Sequence, residues 1–62
     1  MTDKNNLQQA ITSCKEAIEK YTAMADKTDD TAAKQMYEHM CTDMDKHLEY
    51  LNGRLNKLND WI

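Results

Sequence analysis

Apolar residues recur along the chain in alternating steps of four and three, first from Leu7 to Ala25 and again from Tyr37 to Ile62. A repeat of about 3.5 residues keeps one row of side chains on the same side of a helix, where it faces a partner helix. We call this row the seam. It consists of Leu7, Ile11, Cys14, Ile18, Tyr21, Ala25, Tyr37, Cys41, Met44, Leu48, Leu51, Leu55, Leu58 and Ile62. The pattern predicts two amphipathic helices that pack along their seams.

A second apolar set widens the row on both helices. Its members are Ala10, Ala17 and Met24 beside the first part of the seam, and Ala33, Met40 and Trp61 beside the second. We count Met40 with the core. A stripe wider than two positions in seven suits the core of a helical bundle better than a two-stranded coiled coil.

The segment "DKTDDTAAK" between the two patterns predicts a turn. Thr28, Asp29, Asp30 and Thr31 are all residues that favour helix N-caps, because their side-chain oxygens accept the free amide N–H groups of a first turn. We predict a single all-α domain over residues 1–62, with helix 1 at about 3–27, the turn at about 28–30 and helix 2 at about 31–60. A turn this short makes the two helices antiparallel.

Asn52-Gly53 interrupts an otherwise helical pattern. Asn-Gly often marks a turn, and glycine costs about 1 kcal/mol inside a helix. The seam stays in register beyond it, and both residues fall on the outer side of the helix. We predict that helix 2 continues, while a break or a kink at this point stays open.

A hairpin of 62 residues is too small to cover its own wide stripe. Two hairpins packed face to face would form a four-helix bundle and bury both stripes. We therefore predict a homodimer in which folding and association are one event. The relative orientation of the two hairpins is left open, and so are a higher oligomer and an unknown protein partner.

Charge and composition exclude several functions. The formal net charge is −3, with 8 basic residues scattered among 11 acidic ones, which does not suit binding to a phosphate backbone. No apolar run approaches the roughly 20 residues of a membrane span, and the polar N-terminus carries no signal-peptide core. We expect a cytoplasmic protein that does not bind nucleic acid and has no membrane span.

Cysteine, methionine and histidine concentrate in the middle of the predicted bundle. Counting from a turn centred near Asp29 puts Cys14 opposite Met44, and Ile18 near Cys41. Thiolate, thioether and imidazole groups suit Cu(I) or Zn(II), which makes a soft-metal site the alternative hypothesis. Its candidate ligands are Cys14, Cys41, Met44 and His47. The spacing of Met36, Met40 and Met44 is also that of helical core residues, so we favour packing, with no metal, cofactor or catalytic residue.

Two further expectations concern single residues. Cys14 and Cys41 are about one turn out of register for a disulfide, and we expect free thiols. His47 borders the seam, where the imidazole ring could be partly buried.

No nucleophile with an adjacent base and no phosphate-binding glycine loop is found, and we predict that the protein is not an enzyme.

The stretch from Cys14 to Leu51 resembles one helical hairpin of the rubrerythrin and ferritin-like proteins. Ala17, Tyr21 and His47 match that pattern, whereas Cys14 and Met44 stand where the family has ligand glutamates. The resemblance implies half of a ferritin-like bundle that has lost its di-iron chemistry.

The pieces "TDDTAAKQMYE" and Leu51, Arg54, Leu55 and Leu58 are similar to a small domain-of-unknown-function family of Firmicutes that form endospores. A proline that follows in that family is missing here, so helix 2 could run longer. This resemblance implies an origin in a spore-forming bacterium and no activity. Taken together, the sequence predicts a non-enzymatic homodimeric scaffold or interaction module.

Overall fold

The computed structural model describes residues 3–60, with side chains up to residue 59, and contains two helices. Helix α1 spans Asp3–Lys27 and helix α2 spans Thr31–Asp60. They pack against each other as an antiparallel hairpin, and the described residues include no strand. The prediction of an all-α helical hairpin is confirmed.

The turn between the helices is held by local hydrogen bonds of Thr28 and Asp30. The amide of Thr28 donates to the carbonyl of Met24 at 3.0 Å and completes the last turn of α1. The amide of Asp30 donates to the hydroxyl of Thr28 at 3.1 Å. The carboxylate of Asp30 accepts the amides of Ala32 at 3.0 Å and Ala33 at 3.4 Å, so Asp30 is the N-cap of α2.

Helix α2 runs through Asn52-Gly53 without a break. Both residues are exposed, and a Cβ atom added to Gly53 would meet no atom within 4 Å. Nothing in the described structure therefore requires glycine at this position. The helix tolerates it because leucines 51, 55 and 58 keep α2 packed against α1 on either side of it.

The hairpin is one layer of helices with a thin core. Its extents are 49 × 18 × 11 Å. Among the described residues, only Ile11 and Ala25 are buried. The seam residues Leu7, Cys14, Ile18, Tyr21, Tyr37, Cys41, Met44, Leu48, Leu51, Leu55 and Leu58 are half-buried, as is Met40. Trp61 and Ile62 lie outside the described residues.

Candidate functional site

Cys41 lies level with Ile18 and Thr22 of α1. Its thiol is 3.7 Å from the carbonyl oxygen of Ile18, to which it donates a hydrogen bond, and 3.5 Å from the hydroxyl of Thr22. The sequence had placed Ile18 near Cys41, and the structure brings these two residues together.

Of the proposed metal ligands, Cys14, Cys41 and Met44 are half-buried and His47 is exposed. Cys14 and Cys41 are half-buried, and both are free thiols in the structure, as expected from the sequence. His47 is exposed in the single hairpin, and partial burial of its ring beside the seam stays a prediction. Within residues 3–60, no three His, Cys, Asp or Glu side chains come close enough to hold an ion.

The two flanks of the seam differ sharply in composition. Each residue turns the helix by about 100°. The residues that follow Leu7, Cys14 and Tyr21 by three positions therefore lie on one flank of the seam. The residues that follow them by one position lie on the other flank. In an antiparallel pair the same flank of both helices lies on the same side of the hairpin. A shallow hollow lined by Asp3 and Arg54, together with Leu7 and Leu58, shows this for the first flank.

The first side of the hairpin is an apolar face. It consists of Ala10, Ala17 and Met24 from α1 and of Ala33, Met36, Met40 and Tyr50 from α2. Met24 is 44% exposed, Met36 64% and Tyr50 82%, and these are the large apolar side chains that are exposed in the described part of the chain. All three lie on this one face, between polar neighbours such as Lys20 and Asp43.

Over the residues that the structure describes, the opposite side is a polar face without an apolar residue. It consists of Asn5, Gln8, Thr12, Lys15, Glu19, Thr22 and Asp26 from α1 and of Gln35, Glu38, Thr42, Asp45, Glu49, Asn52, Asn56 and Asn59 from α2. All of these residues are exposed, and five carboxylates stand against one ammonium group, that of Lys15. Such a face is suited to water and repels a second copy of itself.

Sequence reasoning found most members of the apolar face but missed that they share one side. It noted the core-like spacing of Met36, Met40 and Met44, and Met36 is the most exposed of these three methionines in the hairpin. Tyr50 was not considered at all. The signal that could have found both is the flank rule stated above, applied to the two helices together.

Comparison with protein families assigns the chain. A family model described as "Protein of unknown function (DUF1657)" matches residues 7–55, which is most of the chain. The chain belongs to this family. The DUF1657 match agrees with the expectation of a small family of unknown function, and its boundaries enclose every described member of the apolar face.

The other comparisons add no relative. No curated protein and no solved structure matches the chain. Within the described residues, neither helix is long and apolar enough to cross a membrane. The DUF1657 assignment thus supplies no activity, and the apolar face is the feature of this structure that most needs a function.

Proposed function

We propose that this DUF1657 chain is a non-enzymatic helical hairpin that pairs with a second copy through its apolar face, and that the resulting four-helix bundle serves as a scaffold or interaction module. The observation that carries the proposal is the confinement of Met24, Met36 and Tyr50 to one side of a single-layer hairpin. Stable domains have at least two packed layers around a core, and a second hairpin supplies the missing layer.

The size of the uncovered surface supports this occupant. The chain exposes 5052 Å², whereas a compact monomer of 7.2 kDa is expected to expose about 4,100 Å². The excess is about 900 Å² per copy, or about 1,800 Å² for two copies, which falls within the range of specific stable interfaces. The radius of gyration, 14.5 Å, likewise exceeds the roughly 10.6 Å of a compact chain of this length.

The charges of the hairpin support the choice of face. The polar face is acidic in both copies, so its pairing with itself would bring like charges together and would remove them from water at a cost. The side that holds the apolar face carries Lys20, Lys27, Asp43, Arg54 and Lys57 between its apolar residues. Burying this face removes apolar area from water, which pairing of the polar face would not do.

The ferritin-like resemblance is compatible with this assembly but adds no chemistry. The bundle would have the architecture that the resemblance implies, with Cys14 and Met44 at the positions of two carboxylate ligands. Cys41 is engaged with Ile18 and Thr22, and His47 is exposed. We therefore favour packing as the role of these side chains. A cytoplasmic location and an endospore-forming source stay predictions from the sequence.

Sedimentation velocity over a dilution series, with circular dichroism on the same samples, tests the proposal. We expect a dimer at high micromolar concentration, and loss of mass and of helix together on dilution, because folding and association are coupled. The midpoint of thermal unfolding should rise with protein concentration. A helical monomer that persists at low micromolar concentration, with a midpoint independent of concentration, would show that the proposal is wrong.

A further inference from the structure

We propose that the two copies pair with their turns at the same end of the bundle, so that α1 of each copy lies against α2 of the other. This inference rests on the homodimer proposed above and names the arrangement of its second copy. The alternative places the turns at opposite ends, and then α1 lies against the partner's α1 and α2 against the partner's α2. Both arrangements bury the apolar face, but they bring different side chains together.

The contacts of Cys41 set the heights of residues along the hairpin. Cys41 contacts Ile18 and Thr22, so residue 41 stands level with about residue 20 of α1. Asp43, two residues further, stands level with about residue 18, which is about 3 Å along the axis from Lys20. When the turns share an end, the twofold axis runs along the bundle and every residue keeps its height. The partner's Asp43 then lies beside Lys20.

Charge favours this arrangement. Lys20 and Lys27 are the charged residues on the apolar side of the turn-proximal half of α1, and Asp43 is the charged residue on the corresponding part of α2. With the turns at one end, each Lys20 meets a carboxylate. With the turns at opposite ends, α1 meets another α1, and Lys20 loses Asp43 as a partner. The same-end arrangement also brings the two Asp29 side chains near each other. Both are exposed, and salt screens repulsion between exposed charges over about 10 Å.

The sizes of the side chains favour the same arrangement. Ala10, Ser13 and Ala17 form a row of small residues on α1, whereas α2 presents Met40 and Tyr50. By the same count of heights, Tyr50 stands level with about residue 11, so the partner's Tyr50 would cover Ala10. A large residue then packs against a small one at this height, while Met24, level with about residue 37, meets the partner's Met36 and Met40. In the alternative, small residues meet small ones on one side and large ones meet on the other, which would leave voids or splay the hairpins.

Distances between spin labels at the turn distinguish the two arrangements. Asp29→Cys, in a background with Cys14→Ala and Cys41→Ala, puts one label on each exposed turn. We expect a separation of less than roughly 25 Å, because packed helices are about 10 Å apart and the labels add their own length. A separation close to the 49 Å length of the hairpin would overturn the arrangement. Labels that show no intermolecular distance would instead reject the dimer itself.

A double-mutant cycle provides a second test that keeps both native cysteines. Lys20→Gln and Asp43→Asn should each raise the dimer dissociation constant about fivefold, because each removes two partly exposed ion pairs per dimer. The double variant should be no weaker than either single variant, since the pair is lost only once. Dimerisation at wild-type strength in both single variants, or effects that simply add, would overturn the same-end arrangement.

Discussion

Ala17→Glu, compared with Ala23→Glu, tests the apolar face as the dimer interface. Both alanines lie in α1, and the two substitutions change net charge and helix propensity in the same way. Ala17 is half-buried on the apolar face, whereas Ala23 is exposed on the side of α1 that points away from the seam. The Cβ atom of Ala17 would point into the bundle, and a carboxylate there would compete with the partner's Asp43 for Lys20, one turn further along α1.

The expected effect follows from burial of that carboxylate. Burying a polar group without a partner costs about 2 kcal/mol at the low end of the measured range, and a symmetric dimer contains two copies of the change. The sum is about 4 kcal/mol, which raises the dissociation constant about a thousandfold. Ala23→Glu should leave the constant within about twofold, because surface changes of this kind alter stability by no more than about 0.5 kcal/mol.

Sedimentation equilibrium and circular dichroism of both variants at matched concentrations provide the measurement. In the range where Ala23→Glu is a helical dimer, Ala17→Glu should have lost both mass and helix, because folding depends on association. Equal dimerisation of the two variants would refute the assignment of the interface to the apolar face. A monomeric Ala17→Glu variant that keeps full helicity would instead refute the coupling of folding to association.

Three other predictions concern the turn, the glycine and the thiols. Asp30→Ala should lower the free energy of unfolding by about 1 kcal/mol by removing the N-cap of α2, whereas Asp29→Ala in the same turn should change it little, as measured by urea unfolding. Gly53→Ala should raise the free energy of unfolding by about 1 kcal/mol, and with it the thermal midpoint, because the site is helical and open. A loss of stability would indicate a packing role for this glycine. Cys14→Ala and Cys41→Ala should each lower the free energy of unfolding by about 1 kcal/mol. The thermal midpoint of the wild-type protein should not change when Zn(II) or Cu(I) is added. Stoichiometric metal binding that either substitution abolishes would restore the metal hypothesis.

The seam shows why the fold could be read from the sequence and why part of the candidate site could not. Leu48, Leu51 and Leu55 sit at a spacing that only a helix places on one side, so the helices and their contact surface follow from local periodicity. The N-cap was predicted only as one of four adjacent residues. Asp30 is the N-cap because of the point at which the chain leaves α1. The hydrogen bond from the Thr28 amide to the Met24 carbonyl sets that point.

Histidine and methionine positions show the limit of a one-dimensional pattern. His47 and Ala17 both lie three residues after a seam residue, yet His47 is exposed and Ala17 is half-buried. Exposure depends on the length of the side chain and on what lies across the hairpin, and neither is visible in the spacing. Met36 continues the helical row of Met40, yet it is 64% exposed in the hairpin, because such a residue can still lie beyond the edge of the contact surface between the two helices.

The sequence by itself determined two amphipathic helices, a short turn and an antiparallel hairpin, because helix periodicity, N-cap chemistry and turn length act over neighbouring residues. The tertiary structure decided which flanks of the two helices share a side, and with this the separation of an acidic polar face from an apolar face. It also directed the Cys41 thiol towards Ile18 and Thr22. These features depend on the rotation and height of one helix relative to the other, which are set by packing between residues far apart in the chain.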